Sequence, residues 1–253
     1  MDALLDNPKG NYCFLAGIAP YSSGVVAMPG YEIVHVTFQH PLPYRQGFEW
    51  IHQHLTTLGR PRAALCAIEL RLPAPLSFAG FAEFNQGYQA LLEKWDLLVE
   101  GQNPVARTNV APVIEPPAEP SLYAYSFTIP TGTGKISPTF VIAGAGELTG
   151  SALSPQAVVR AGETTAEAMQ EKAAHVLRTM QARLHSLGRT WSDVTTVDIY
   201  TAHPIHSFLA SEILQNIGPT AIHGVHWFLS RPPIADLEFE MDLRGVRKEV
   251  RLR

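Results

Sequence analysis

The chain has 253 residues, 46% of them hydrophobic and 17% charged, which supplies a sizeable apolar core and excludes a disordered chain. Nineteen basic residues against 23 acidic ones give a formal charge of −4 with no Lys/Arg run, so a nucleic-acid partner is not expected. No apolar run approaches the ~20 residues of a membrane-spanning helix. The acidic opening Met1–Asp6 lacks the basic region of a secretory leader, and Cys13 and Cys66 make neither a disulfide framework nor a CxxC metal site. The expectation is a cytoplasmic, metal-independent protein.

In chain order, strands are expected at Gly24–Met28 and Glu32–Gln39 from their apolar, β-branched runs. A helix over about Gln46 to Leu58 places Phe48, Ile51 and Leu55 on one face and stops at Gly59. A strand at Leu65–Leu72 and a helix over about Phe78 to Trp95 follow, the helix carrying Phe81, Phe84, Tyr88 and Leu91 on one face. Strands at Ala106–Val113 and Leu122–Ile129 complete the first half. Pro130–Gly134 then reads as a linker. Beyond it, strands are expected at Phe140–Ala145 and Ala157–Arg160, and a long helix over Thr164 to Leu187 that Gly188 ends. Next come a strand at Val194–Tyr200, a helix near Ser207–Gln215, and strands at Ala221–Leu229 and Ala235–Leu243. The tripeptide Leu58, Gly59, Arg60 recurs as Leu187, Gly188, Arg189, an offset of 129 residues, each time after a helix and before a strand. The order of elements therefore repeats, and two domains of one α+β kind are expected, 1–130 and 131–253.

Three segments of the first half carry candidate chemistry: Pro20, Tyr21 and Ser22 before the first strand; Phe84, Asn85 and Tyr88 in the second helix; and Pro104 to Asn109, containing Ala106, Arg107 and Thr108, leading into a strand. In this order they resemble the Rid (YjgF-like) family of enamine/imine deaminases. The resemblance covers most of residues 17–129 and, more loosely, 138–245. It implies tandem chorismate-mutase-like domains, each a mixed sheet backed by two helices, and a homo-oligomer built on pseudo-three-fold units. It also implies hydrolysis of a 2-imino or 2-enamino acid, 2-aminoacrylate- or 2-aminomuconate-like, to a keto acid and ammonia without metal or organic cofactor. Arg107 corresponds to the family arginine that grips the substrate carboxylate, a match its planar fork of donors suits. Tyr21 corresponds to the tyrosine at the mouth of the site and Asn85 to a polar helix residue beside it. Asn109 and His223 complete the expected substrate-binding set.

The pattern departs from the family in the last strand of each half. A Glu that orients water in many family members has no counterpart in Leu122–Phe127, whereas Glu238 stands in its place in the second half. The second half in turn lacks the arginine, having Pro219 to His226 instead. One reading is a composite site between the halves, with Arg107 as clamp and Glu238 or a histidine handling protons. The other is a catalytic first half with a degenerate second one. His203, His206, His223 and His226 cluster in sequence, but residues three apart on a strand face opposite ways, so no metal site is expected from His223 and His226. Either of these two remains a candidate general base. A chorismatase-like enzyme and a binding module without chemistry are the alternatives to a deaminase.

Overall fold

The computed structural model describes residues 4–17, 21–132, 137–150 and 153–252. The chain opens with β1 (Leu4–Asn7), β2 (Tyr12–Leu15) and β3 (Gly24–Ala27), then β4 (Tyr31–Pro43), α1 (Tyr44–Thr57), β5 (Leu65–Arg71) and α2 (Phe78–Lys94). Strands β6 (Ala106–Pro112) and β7 (Ser121–Pro130) close the first half, and β8 (Phe140–Gly146), α3 (Ala166–Ser186) and β9 (Thr196–Tyr200) begin the second. An irregular helical run from His206 to His223 leads to β10 (His226–Phe228), β11 (Ser230–Arg231), β12 (Glu240–Gly245) and β13 (Lys248–Leu252).

Burial alternation sorts these elements into an α+β stack of two mixed sheets with helices on the outer side of each. Phe48, Ile51 and Leu55 of α1 and Tyr88 and Leu92 of α2 pack on Ile68, Leu70, Leu122 and Tyr125 of the first sheet. Met169, Val176, Met180 and Leu184 of α3 pack on Ile142, Ile199, Met241 and Leu243 of the second. Between the sheets lies a smaller apolar layer that includes Phe14, Val25, Ile33, Ala67, Ala106 and Ala143. Gly47 lets α1 come down onto the first sheet, since a Cβ there would meet Leu122 Cδ2 at 2.6 Å.

The helix ends are encoded locally. Ser77 Oγ accepts from the Gly80 N–H at 3.0 Å to cap α2, and Thr165 Oγ1 accepts from the Ala168 N–H at 3.2 Å to cap α3. Helices α1 and α3 end alike: Gly59 and Gly188 both have φ of +66°, and the N–H of Arg60 and of Arg189 returns to the carbonyl of Leu55 and of Leu184, each at 2.8 Å. The repeated tripeptide thus marks one local geometry used twice.

Sheet membership does not follow the chain. The six-stranded sheet runs β11-β6-β5-β7-β4-β13 and the seven-stranded one β1-β2-β3-β8-β12-β9-β10. The first three strands therefore extend the sheet of the second half, while the C-terminal β13 pairs in parallel with β4 of the first. β1, β2 and β13 were not expected from sequence. The linker segment Pro130–Gly134 lies partly outside the described residues, with Pro130 still in β7.

Three expected strands are corrected. At Ala157–Arg160 the chain makes a 3-10 turn over Pro155–Ala157, and Arg160 takes φ of +48°, which no strand permits. Ala221–Leu229 shrinks to β10, because Pro219 opens a 3-10 turn and Gly224 reverses the backbone at φ of +70°. Ala235–Leu243 becomes a strand only from Glu240 onward. The N–H groups of Glu238 and Phe239 are taken by the Glu147 carboxylate, at 2.7 and 3.1 Å, instead of by a neighbouring strand. The expected helix near Ser207–Gln215 is present but irregular, with a π-helical turn at Leu209–Leu214.

Candidate active site

Arg107 and Asn109 are two apart on β6 and so project from the same face of it. Arg107 is 2% exposed. Helix α2 presents Phe81, Asn85 and Tyr88 at helical spacing beside it, and Asn85 Oδ1 accepts from Arg107 Nη2 at 2.6 Å. The guanidinium carbon lies 4.7 Å from the ring centre of Tyr88, 5.0 Å from Tyr21 and 5.6 Å from Phe81, an aromatic enclosure that suits a cation. Its Nε and Nη1 are buried without a hydrogen-bond partner among the described residues, as are both amide atoms of Asn109. Buried polar groups are almost always partnered, so this concentration of open donors marks a place prepared for a ligand. Burial holds the Arg107 guanidinium below its ordinary value, with the hydroxyls of Tyr88 and Tyr21 opposing the shift.

The acid that faces this arginine is Glu240. Along β12 the residues Met241 and Leu243 point into the α3 core, which turns Glu240, Asp242 and Arg244 toward the other sheet. Glu240 shares with Tyr21, Arg107 and Asn109 a cleft of about 370 Å³ of unfilled space, part of it open to solvent. Gly144 makes room for it, since a Cβ there would overlap the Glu240 carboxylate. Burial first, then the charge of Glu147, push the Glu240 carboxyl up to about 8, against the opposing pull of Arg107 and Arg183. At neutral pH it carries a proton. The turn before it is fastened by a buried ion pair, Lys172 Nζ to Glu147 Oε1 at 3.0 Å, with Lys172 also donating to the Val159 carbonyl at 2.8 Å.

Of the residues expected from sequence, Arg107, Asn85, Tyr21 and Asn109 come together. Glu238 does not line the cleft: it sits in the turn ahead of β12, paired to His203 at 3.0 Å and Arg231 at 2.8 Å. His223 is exposed on the 3-10 turn. The acid expected at position 238 is therefore supplied two residues later, and the signal for it was the alternation of Phe239, Met241 and Leu243 with three charged residues. Arginine and acid come from different halves. Glu240 stands opposite Tyr200 in its sheet, and at the offset of 129 residues the matching partner of Arg71 is Ser121, which carries no acid.

A second polar cluster fills the space between the sheets. Oxygens of Glu69, Asp198 and Asp242 lie within 4.8 Å of one another. Their charge is already matched: Arg71 reaches Glu69 at 3.2 Å, and Asp198 holds Arg244 at 2.5 Å and His226 at 2.8 Å. Asp242 accepts from Thr108 at 2.6 Å and from Tyr200 at 3.0 Å, and burial beside two carboxyls raises its carboxyl above the ordinary range. A cation would have to displace these partners, so the donor set does not fit a metal site. Cys66 is buried, which pushes its thiol up and leaves it inert.

Residues 4–250 match the family described as 2-aminomuconate deaminase CnbZ. A 2-amino-5-chloromuconate deaminase of Comamonas testosteroni is 37% identical over 249 residues, covering 98% of each chain. Among solved structures, a chorismatase aligns over 88% of this chain and 77% of its own at 13% identity and a TM-score of 0.44. A putative endoribonuclease of Thermotoga maritima aligns over 45% of this chain and 83% of its own at 16% identity and a TM-score of 0.29. The chain belongs to the 2-aminomuconate deaminase family, and it is a deaminase.

Proposed function

We propose that this member of the 2-aminomuconate deaminase family hydrolyses 2-aminomuconate or a chain-substituted relative through its enamine and imine forms, and does so at the cleft between Arg107 and Glu240. The observation that carries the reading is a buried guanidinium with open donors sharing one cleft with a buried carboxyl.

Arg107 binds the carboxylate next to the amino-bearing carbon through its unpartnered N–H groups, with Asn85 fixing the fork. The open carbonyl of the Asn109 amide accepts from the substrate amino group. Neutral Glu240 delivers its proton to the far carbon of the enamine double bond, which turns the amino carbon into an iminium. The Glu240 carboxylate so formed takes a proton from water as the water oxygen attacks that carbon. The carbinolamine then collapses: its hydroxyl proton passes to the nitrogen, the carbon–nitrogen bond breaks as the carbonyl forms, ammonia leaves, and the keto acid remains. One water enters and one ammonia departs, with Glu240 returned to its starting state.

The repeated helix ending, and one half supplying the arginine while the other supplies the acid, support reading the chain as two Rid-like units whose terminal strands are exchanged between sheets. The test of function is turnover of freshly generated 2-aminomuconate, followed by loss of its diene absorbance and by ammonia release. Wild type is expected to exceed the uncatalysed rate, and Glu240→Gln to lower kcat by about 100-fold or more, the usual scale of a lost proton carrier. Wild-type release no faster than background would overturn the reading.

A further inference from the structure

Arg107 belongs to one sheet and Glu240 to the other, so their separation depends on what fastens the two sheets beside the cleft. The pairing of β8 with β12 is irregular at that place. Met241 stands opposite Ala145 and Leu243 opposite Ile142, so Asp242 alone faces both Ala143 and Gly144. This is a β-bulge, a device by which a strand next to a site re-aims its side chains. It adjoins the acid, because Gly144 is the residue whose missing Cβ leaves room for the Glu240 carboxylate.

The bulge is held from the opposite sheet. Gly144 donates its N–H to Thr108 Oγ1 at 3.1 Å, and Thr108 Oγ1 donates to Asp242 Oδ2 at 2.6 Å. One buried hydroxyl thus joins β6, β8 and β12, using its acceptor and its donor at once. Thr108 lies between Arg107 and Asn109 in β6 and projects from the opposite face, outside the set of described residues that line the cleft. Asp242 lies two residues beyond Glu240 on the same face of β12. Tyr200 donates to the same Asp242 oxygen at 3.0 Å, which steadies that carboxyl from within the second sheet.

Resting on the proposed reaction, we propose that Thr108 is a positioning residue for it: its hydroxyl pins the β8 bulge and β12 to β6, and so sets Glu240 at proton-transfer distance from a substrate held by Arg107 and Asn109. Thr108 itself touches no substrate. It acts on the alignment of proton donor and acceptor, to which reaction rates respond steeply. Binding of the substrate carboxylate is left with Arg107, which Asn85 orients through a bond that does not involve Thr108.

The experiment is steady-state deamination of freshly generated 2-aminomuconate by the full-length protein, normalised to folded molecules. Thr108→Val keeps the shape of the side chain and removes the hydroxyl. It is expected to lower kcat by about 10-fold or more and to change KM by less than about threefold, the mark of an interaction felt in the transition state. Thr108→Ala, which lacks the hydroxyl and fills less space, carries the same expectation, so a folding defect in one variant does not decide the outcome. Thr108→Ser keeps the hydroxyl and is expected to hold kcat within about threefold of wild type. A role in stability alone would lower the melting temperature and leave kcat per folded molecule unchanged. Retained kcat in the variants without the hydroxyl, a loss confined to KM, or Thr108→Ser as slow as Thr108→Val overturns the inference. Wild type no faster than background overturns the deamination reading itself, whereas an active wild type matched by Thr108→Val overturns this inference alone.

Discussion

Two places in this molecule gather buried charge between the sheets, and they differ in what is left unpaired. In the cluster of Glu69, Asp198, Asp242 and Arg244, each carboxylate has a partner in the protein: Arg71, Arg244, His226, Thr108 or Tyr200. In the Arg107 cleft, among the described residues, the guanidinium has one hydrogen-bond partner, Asn85, and the amide of Asn109 has none. Charge alone does not separate the two, and the first is the richer in titratable groups. Open hydrogen-bonding capacity does separate them, because a closed network stabilises the fold whereas an open one waits for a ligand.

Mutation should divide the two places cleanly. Arg107→Met is expected to lower kcat/KM by about 100-fold or more while changing stability by no more than about 1 kcal/mol, because the lost bond to Asn85 is offset by removing a buried charge. Steady-state kinetics beside chemical denaturation reads both. Asp198→Ala is expected to do the reverse. It strips Arg244 of one buried partner and costs about 3 kcal/mol of folding stability, with turnover per folded molecule nearly unchanged. A large loss of activity in Asp198→Ala at full folding would break the comparison.

A smaller effect sharpens it. Glu240 is pushed up to about 8 and must be protonated to act, so kcat/KM should fall as pH rises through about 8. The same group binds its proton more tightly folded than unfolded. Its contribution to stability is therefore complete below its ordinary value of 4.5 and is lost as pH rises toward 8. Glu240→Gln should accordingly flatten the decline of stability with pH across that window, measured by denaturation at a series of pH values. An unchanged slope would show that Glu240 is not the proton carrier with the raised value.

Much of the site was legible in the chain. Arg107, Asn109, Asn85 and Tyr21 lie in segments singled out by their resemblance to one family, although Tyr21 meets Arg107 across two different sheets. Glu240 was not legible to the residue. Its neighbour Glu238 has the same chemistry, and the choice between them depends on where β12 begins. That start is set by the Glu147 carboxylate, 91 residues upstream of Glu238, which takes the N–H groups that would have extended the strand.

The sequence by itself determined the three long helices, the glycine stops of α1 and α3 and the β5 to β7 strands, because these depend on periodicity and on residues within a few positions of one another. Tertiary structure alone decided that β1 to β3 join the second sheet, that β13 joins the first, and that the acid facing Arg107 comes from the other half of the chain. Such pairings join segments up to about two hundred residues apart, as Lys248 beside Val34 shows. Local preference carries no information about which of several compatible strand edges a segment will meet; that choice is made by the burial and hydrogen bonding of the whole.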